Sequence, residues 1–288
     1  MSHGSQGVAM RTILVGEAKV SLINLGDLGF RLKDVENVPE SEWKNSAYAN
    51  VFENSHPYPS QSVFISHGEL SVLVDAGEYS LFATSDSPYR IPGYVPPPNL
   101  VDQLSEIGIR AEDVDYVVIT HAHYDHYAGV TRKNGTEYVP TFPNATYLLG
   151  REDYENPEMK KSIQDENSDD NHTFGVLWMK GILELVQSKR VISDEIEILA
   201  SPGESPGHKI LRLHSHGETI YCLGDLFHHA CEVQNPSWMA SWDDPKANLK
   251  SRLELLDSAL KANAILLPAH MPPGRLEKTS SGFRYADM

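Results

Sequence analysis

The chain has 288 residues, 40% hydrophobic and 22% charged, with 20 glycines and 18 prolines scattered along it. That is globular composition and excludes collagen-like, coiled-coil and disordered classes. The formal charge of −16 repels phosphate backbones and argues against a nucleic-acid partner.

Residues 1–10 (MSHGSQGVAM) lack the apolar stretch of a secretion signal and read as a flexible leader or tag remnant, with 11–288 as a single domain. No apolar run approaches the roughly 20 residues that cross a bilayer, so no membrane partner is expected. The two cysteines, Cys222 and Cys231, cannot make a disulfide framework, and the cytoplasm is the expected compartment.

In chain order, Arg11 to Leu25 and Val63 to Asp75 are β-branched and aliphatic; Gly68-Glu69 breaks the second into a hairpin. Glu36 to Ser55 carries Trp43, Tyr48 and Phe52 on a short helix. Tyr79 to Pro98 is too proline-rich for a helix or central strand, and is either a binding wall or lid, or a surface loop packed by its own aromatics. Leu100 to Ile107 has helical spacing, as does Pro245 to Leu260, where Leu249, Leu253, Leu256 and Leu260 form one stripe. Tyr116 to Thr120, Ala145 to Leu149, Ile196 to Ala200, Ile210 to Leu213, Thr219 to Leu223 and Ala264 to Leu267 read as buried strands. Helices begin near Arg151 and Thr173. Strands in both halves, each followed by helices, predict stacked sheets with outer helices.

Directly after the strand YVVIT comes His121-Ala-His123-Tyr-Asp125-His126. Imidazole and carboxylate are the usual ligands of zinc and similar divalent ions. At a strand end His121 and His123 point the same way, and the following turn can aim Asp125 and His126 at a neighbouring point. Packing alone would leave three imidazoles and a carboxylate beside an apolar strand with no compensation for their burial, so the cluster predicts metal. His208, in Ser205-Pro-Gly-His208, Asp225, in Cys222-Leu-Gly-Asp225, and His270, in Pro268-Ala-His270, all fall at strand ends or in adjoining loops where they can converge.

These residues, with Leu73-Val-Asp75-Ala-Gly77 at a hairpin end, resemble the metallo-β-lactamase superfamily over nearly the whole chain. The resemblance implies an α/β fold, the four-layer αβ/βα sandwich, with a binuclear metal site along one edge. It implies one cation on His121, His123 and His208, a second on Asp125, His126 and His270, and Asp225 bridging them, while Asp75 orients ligands without binding metal. The cofactors expected are two divalent ions, zinc foremost, with manganese, cobalt or iron as alternatives.

Two such ions acidify a shared water for attack on a carbonyl or phosphorus, with Asp125 or Asp225 relaying the proton. The best-known zinc β-lactamases carry cysteine where Asp225 stands, which argues against antibiotic hydrolysis. Nucleases fit poorly with the acidic surface, and flavin-linked branches need a further domain. Thioesterases of the glyoxalase II type share the ligands, but the tail from Pro272 to Met288 is short for their helical domain. Quorum-quenching lactonases and the methyl-parathion-hydrolase-like group look most similar, the latter through Gly224 to His229, Gln234 to Trp238, Pro268 to Arg275 and Gly282 to Tyr285. Many lactonases place a tyrosine three residues after the bridging acid, where this chain has His228. His228 either donates a hydrogen bond to the substrate or merely sits satisfied at the pocket rim.

The expected activity is therefore that of a lactonase or esterase on a small-molecule lactone or ester, with Trp43, Tyr48, Phe52, Tyr94 and Trp238 walling an apolar pocket. Phosphotriester hydrolysis is the runner-up, and a non-catalytic metalloprotein is the alternative of a different class. The aromatic N-terminal segment could also pack against a second subunit in a homodimer.

Overall fold

The computed structural model of the protein describes residues 10–78, 87–280 and 282–288. Four antiparallel strands open the chain: β1 (Arg11–Val15), β2 (Ala18–Phe30), β3 (His56–His67) and β4 (Leu70–Val74). After the helix Leu100–Glu106 comes β5 (Tyr116–Val118), then the small hairpin β6 (Thr131–Asn134) and β7 (Glu137–Pro140), then β8 (Thr146–Gly150) and β9 (Leu183–Val186). The second half adds β10 (Lys189–Val191), β11 (Ile196–Ala200), β12 (Lys209–Ser215), β13 (Glu218–Gly224), β14 (Ile265–Pro268), β15 (Gly274–Thr279) and β16 (Gly282–Asp287). Two seven-stranded sheets result, ordered β1-β2-β3-β4-β5-β8-β9 and β10-β11-β12-β13-β14-β15-β16.

Alternation along the strands decides what each face covers. Val72, Val74 and Val118 point between the sheets and meet Ile198, Leu211, Ile220, Cys222 and Leu267 from the other sheet. Leu73, Val117 and Ile119 point the other way, onto Leu100, Leu104, Phe174 and Leu177 of the outer helical layer. Tyr221, Leu223 and Leu266 cover the opposite outside, against Leu255, Leu256 and Ala259 of the helix Pro245–Lys261. The layers run helix, sheet, sheet, helix: the four-layer αβ/βα sandwich.

Two details differ from the sequence reading, and the C-terminal tail, unassigned there, gains a structure. The inner face of Pro245–Lys261 is Asn248, Ser251, Arg252, Leu255, Leu256 and Ala259, while Leu253 is exposed. The helix is turned because the Arg252 guanidinium pairs with the buried Glu232 carboxylate at 2.7 Å. Glu36 to Ser55 holds two separate short helices, Glu40–Trp43 and Ala49–Glu53, with Tyr48 between them. The C-terminal tail forms β15 and β16, which complete the second sheet. Of the segment Tyr79 to Pro98, residues 79–86 lie outside the described residues.

Among the described residues, no helix is long and apolar enough to cross a membrane.

Candidate metal centre

One edge of the sandwich collects the ends of strands from both sheets. Asp75 follows β4, His121 follows β5, Asp225 follows β13, His270 follows β14, and the loop from Ser201 to His208 joins β11 to β12. The short helix Tyr124–Tyr127 then carries Asp125 and His126 back over the edge. Two glycines permit this crowding. A Cβ on Gly77 would lie 1.7 Å from the Asp125 carbonyl oxygen. Gly224 has φ +51°, and its Cβ would lie 2.9 Å from His208 Nε2.

The hydrogen bonds at the back of the rings orient the imidazoles. His126 Nδ1 donates to Asp75 Oδ2 (2.9 Å), His208 Nδ1 to the Ser201 carbonyl (3.0 Å) and His270 Nδ1 to the Pro59 carbonyl (2.8 Å). The Thr120 hydroxyl donates to Asp75 Oδ2 (2.9 Å), so its lone pair accepts from His121 Nδ1 at 3.1 Å. These partners make Nδ1 the donor at the back of each ring and turn Nε2 inward, where on the neutral ring its lone pair is free, which is how metal-binding histidines are held. Asp75 is the hub: its Oδ1 also accepts from the Thr120 amide at 2.8 Å.

The inward atoms converge in two sets. Ligand atoms of His121, His123, Glu204 and Asp225 lie within 4.8 Å of one another, and so do those of Asp125, His126, Asp225 and His270. Asp225 belongs to both: its Oδ1 is 3.2 Å from His126 Nε2, and its Oδ2 is 3.3 Å from His270 Nε2 and 3.9 Å from His121 Nε2. Asp125 Oδ2 lies 3.4 Å from His126 Nε2 and 3.3 Å from His270 Nε2. His208 stands beside the first set, its ring centre 5.3 Å from that of His121.

Whether these residues suit divalent cations can be judged from their unsatisfied atoms. Among the described residues, Nε2 of His121, His126 and His208, Oδ1 of Asp225 and Oε2 of Glu204 are buried without a hydrogen-bond partner. Each such atom costs about 1–3 kcal/mol. A concentration of nitrogen and carboxylate lone pairs at one spot fits two cations sharing Asp225.

Electrostatics agree. Burial pushes His121 and His208 below the ordinary imidazole value, keeping them neutral. Burial would do the same to His126 and His270, but Asp225 and Asp125 outweigh it; His126 is held well above its usual value and His270 is raised to about 9. Asp125 and Asp225, despite burial, are held well below the carboxylate range, chiefly by His126 and His270.

His228 is buried at the same edge, its Nε2 3.3 Å from Asp225 Oδ2 and its Nδ1 3.6 Å from Glu232 Oε1. These two carboxylates raise its pKa well above the ordinary value against the pull of burial. Glu232 also accepts from the His228 and His229 amides and from Arg252, which in turn donates to the Leu226 carbonyl.

A cavity of about 480 Å3 opens onto Asp125, Asp225, His228 and His270. Its apolar walls are Leu28, Phe30, Val35, Tyr89, Tyr124 and Trp242. The five aromatics expected there from sequence are elsewhere. Trp43, Phe52 and Trp238 pack into a buried aromatic cluster, Trp43 stacked on Phe52 at 5.0 Å and Phe52 edge-on to Trp238 at 5.6 Å. Tyr48 lies against that cluster and donates to Gln234, and Tyr94 hydrogen-bonds Asp27. Flat rings gain more from burial against one another than from lining an open cavity. Tyr89, from the proline-rich segment, does reach the wall, held by its carbonyl to the Gly29 amide at 2.9 Å.

Sequence reading also passed over Glu204 and Asp153. The buried Asp153 carboxylate accepts from the Gly207 amide (2.6 Å), the Ser205 hydroxyl (2.8 Å) and the Ala122 amide (3.1 Å), lashing the histidine loop to the Ser201–His208 loop. Neither acid carries a local signal, except that Glu204 lies four residues before His208 in a loop dense in glycine and proline.

The family model described as the metallo-beta-lactamase superfamily matches residues 56–270. The N-acyl homoserine lactonase AttM of Azorhizobium caulinodans is 27% identical over 180 residues, covering 60% of this chain and 64% of that protein. The chain spans only 42% of the N-acyl homoserine lactonase of Bacillus cereus, at 26% identity. In three dimensions it is similar to the hydrolase AbOPH (TM-score 0.77, 17% identity, 99% of both chains covered). It is also similar to AidC, a dizinc quorum-quenching lactonase solved with the product N-hexanoyl-L-homoserine (TM-score 0.75, 20% identity, 97% of both).

Proposed function

We propose, on the premise that this chain belongs to the metallo-beta-lactamase superfamily and is a hydrolase, that it opens lactones or cleaves carboxylic esters at two divalent cations. The observation that carries this reading is the placement of an apolar cavity directly on two ligand sets that share Asp225. An acyl chain finds Leu28, Phe30, Val35 and Trp242 there, and the reacting carbonyl would lie at Asp125, Asp225 and His270. The similarity to N-acyl homoserine lactonases supports lactones with an apolar acyl group as the first substrates to try. Zinc is the first choice of cation, with manganese, cobalt and iron accepted by the same residue types.

When bound, such ions would supply Lewis acidity and lower the pKa of water at the site. The chain's own groups do the rest. His121, His123 and His208 would hold one cation, Asp125, His126 and His270 the other, and Asp225 would be shared between them. Asp125 is positioned at the cavity to take a proton during attack and return it to the leaving oxygen. His228, kept protonated between Asp225 and Glu232, donates to the substrate oxygen that gains charge. The aromatic and aliphatic walls exclude competing water and orient the acyl chain.

The test compares kcat/KM over homoserine lactones of graded acyl length, p-nitrophenyl acetate, paraoxon, S-lactoylglutathione and a cephalosporin. Lactones with medium acyl chains should lead. Paraoxon or S-lactoylglutathione leading would replace the assignment with phosphotriesterase or thioesterase, and no turnover by protein carrying two cations would make the centre structural.

A further inference from the structure

We infer that Glu204 is a direct ligand of the cation held by His121, His123 and His208, so that this site is a cage of three imidazoles and two carboxylates. The inference rests on the two-cation reading above and adds a ligand to it. The Glu204 side chain is fully buried. Its Oε1 accepts from the Trp242 indole N–H at 3.1 Å and lies 2.8 Å from His123 Nδ1. Its Oε2 has no hydrogen-bond partner among the described residues and lies 3.4 Å from His121 Nε2. The carboxylate is thus gripped at one oxygen and presents the other to the ring nitrogen that faces the first ligand set.

Glu232, equally buried, shows how this fold neutralises a structural carboxylate: it has a guanidinium at 2.7 Å and two backbone amides. Glu204 has no such arrangement. Its ion-pair neighbours among the described residues are His121 and His123, two imidazoles already placed to bind metal. A buried carboxylate oxygen without a hydrogen-bond partner, as Oε2 is, is expensive, and a cation at this spot removes the expense. Nor is the placement loose. Gly203, at φ +142°, packs on the backbone of Asn248, and Asp153 clamps Ser205 and Gly207 on the other side.

A fifth protein ligand, and an oxygen, moves the site away from four-coordinate zinc chemistry and toward manganese or iron. It also makes the two sites unequal in number, five protein ligands against the four of Asp125, His126, His270 and Asp225, with Glu204 and Asp125 as the carboxylates they do not share.

Wild type and Glu204→Gln, both stripped of metal, are titrated with zinc and manganese by chelator competition, and their metal content is measured by elemental analysis. Glutamine keeps the acceptor for Trp242 but offers the cation an amide in place of charge. The expected result is one cation bound as in wild type and the other weakened about tenfold or more, with manganese losing more than zinc. The cobalt-loaded wild type should show the weak visible bands of a five- or six-coordinate ion, intensifying toward tetrahedral character in the variant. Melting of the metal-free forms separates ligation from mere packing: the variant should melt no lower than wild type. Unchanged affinities, or a lower metal-free melting point with no change in metal binding, overturn the inference. If the variant does not fold, the wild-type cobalt spectrum decides, and purely tetrahedral bands overturn it. Wild type that binds fewer than two cations instead refutes the two-cation reading itself.

Discussion

Asparagine at position 75 tests how the centre is held together. Asp75 is buried, and at φ +59° its backbone is left-handed, a conformation asparagine tolerates better than any other non-glycine residue, so Asp75→Asn changes chemistry and little else. The carboxylate accepts three protons, from the Thr120 amide, the Thr120 hydroxyl and His126 Nδ1. An asparagine has one oxygen. If that oxygen faces the Thr120 amide, the new NH2 group faces two donors. His126 must then give up its Nδ1 proton and carry one on Nε2, which points at Asp125 and Asp225. The Thr120 hydroxyl must likewise turn its proton to His121 Nδ1, driving the same exchange there. If the side chain flips, two buried donors confront each other at about 1–3 kcal/mol apiece.

Either way the lone pairs needed for metal are spent or misdirected on both sides of Asp225. Cation affinity should fall about 10- to 100-fold at each site, or about 1.4–2.7 kcal/mol. Thr120→Val sharpens the test, because it cuts the link to His121 while leaving His126 on Asp75; only the site containing His121 should weaken. Chelator competition on both variants, with circular dichroism to confirm the fold, reads the outcome. Two cations bound by Asp75→Asn within twofold of wild type would refute the assignment of the inward-facing tautomers.

Proton competition gives a second outcome. Because His126 and His270 are raised, to about 9 for His270, the metal-free protein is protonated there at pH 7. Affinity at their site should climb with pH and level off above about 9, with protons released on binding, measurable by calorimetry in buffers of different ionisation enthalpy. The same raised pKa means the metal-free fold gains from these protons below pH 6.5 and loses that gain as pH rises through 9, so its melting point should fall across that window. His228→Gln should lower kcat about 100-fold with cation content unchanged; an unaltered kcat would remove it as a donor. Arg252→Met strands Glu232 in the interior and should cost about 3–5 kcal/mol in urea unfolding, with Glu232→Gln restoring part of it; an additive double variant would mean the pair is not coupled.

How much of this was readable from the sequence depended on whether neighbouring residues shared a burden. Tyr116 to Thr120 reads as a strand because both its faces are buried, Val118 between the sheets and Val117 beneath the helices, leaving an unbroken apolar run. The edge strand β10 and the strand β15, next to the opposite edge, carry Lys189, Glu277 and Lys278 to solvent and have no such run, so nothing local announces them. Arg252 misleads in the opposite direction. A charge on a helix is assigned outward unless its partner is known, and Glu232 is 20 residues away. The metal centre divides by the same rule. His121, His123, Asp125 and His126 stand out because a cluster of cation-seeking groups after an apolar strand has no cheap explanation. Glu204, alone among prolines and glycines, has a cheap one, since a single acid in a polar loop belongs in water. What turns it inward is Asp153, about fifty positions earlier, pulling Ser205 and Gly207 against the histidine loop. The tether acts on the backbone around Glu204 and leaves no mark on the residue itself, so a lone ligand of this kind can be found only after the loops that carry it have been placed.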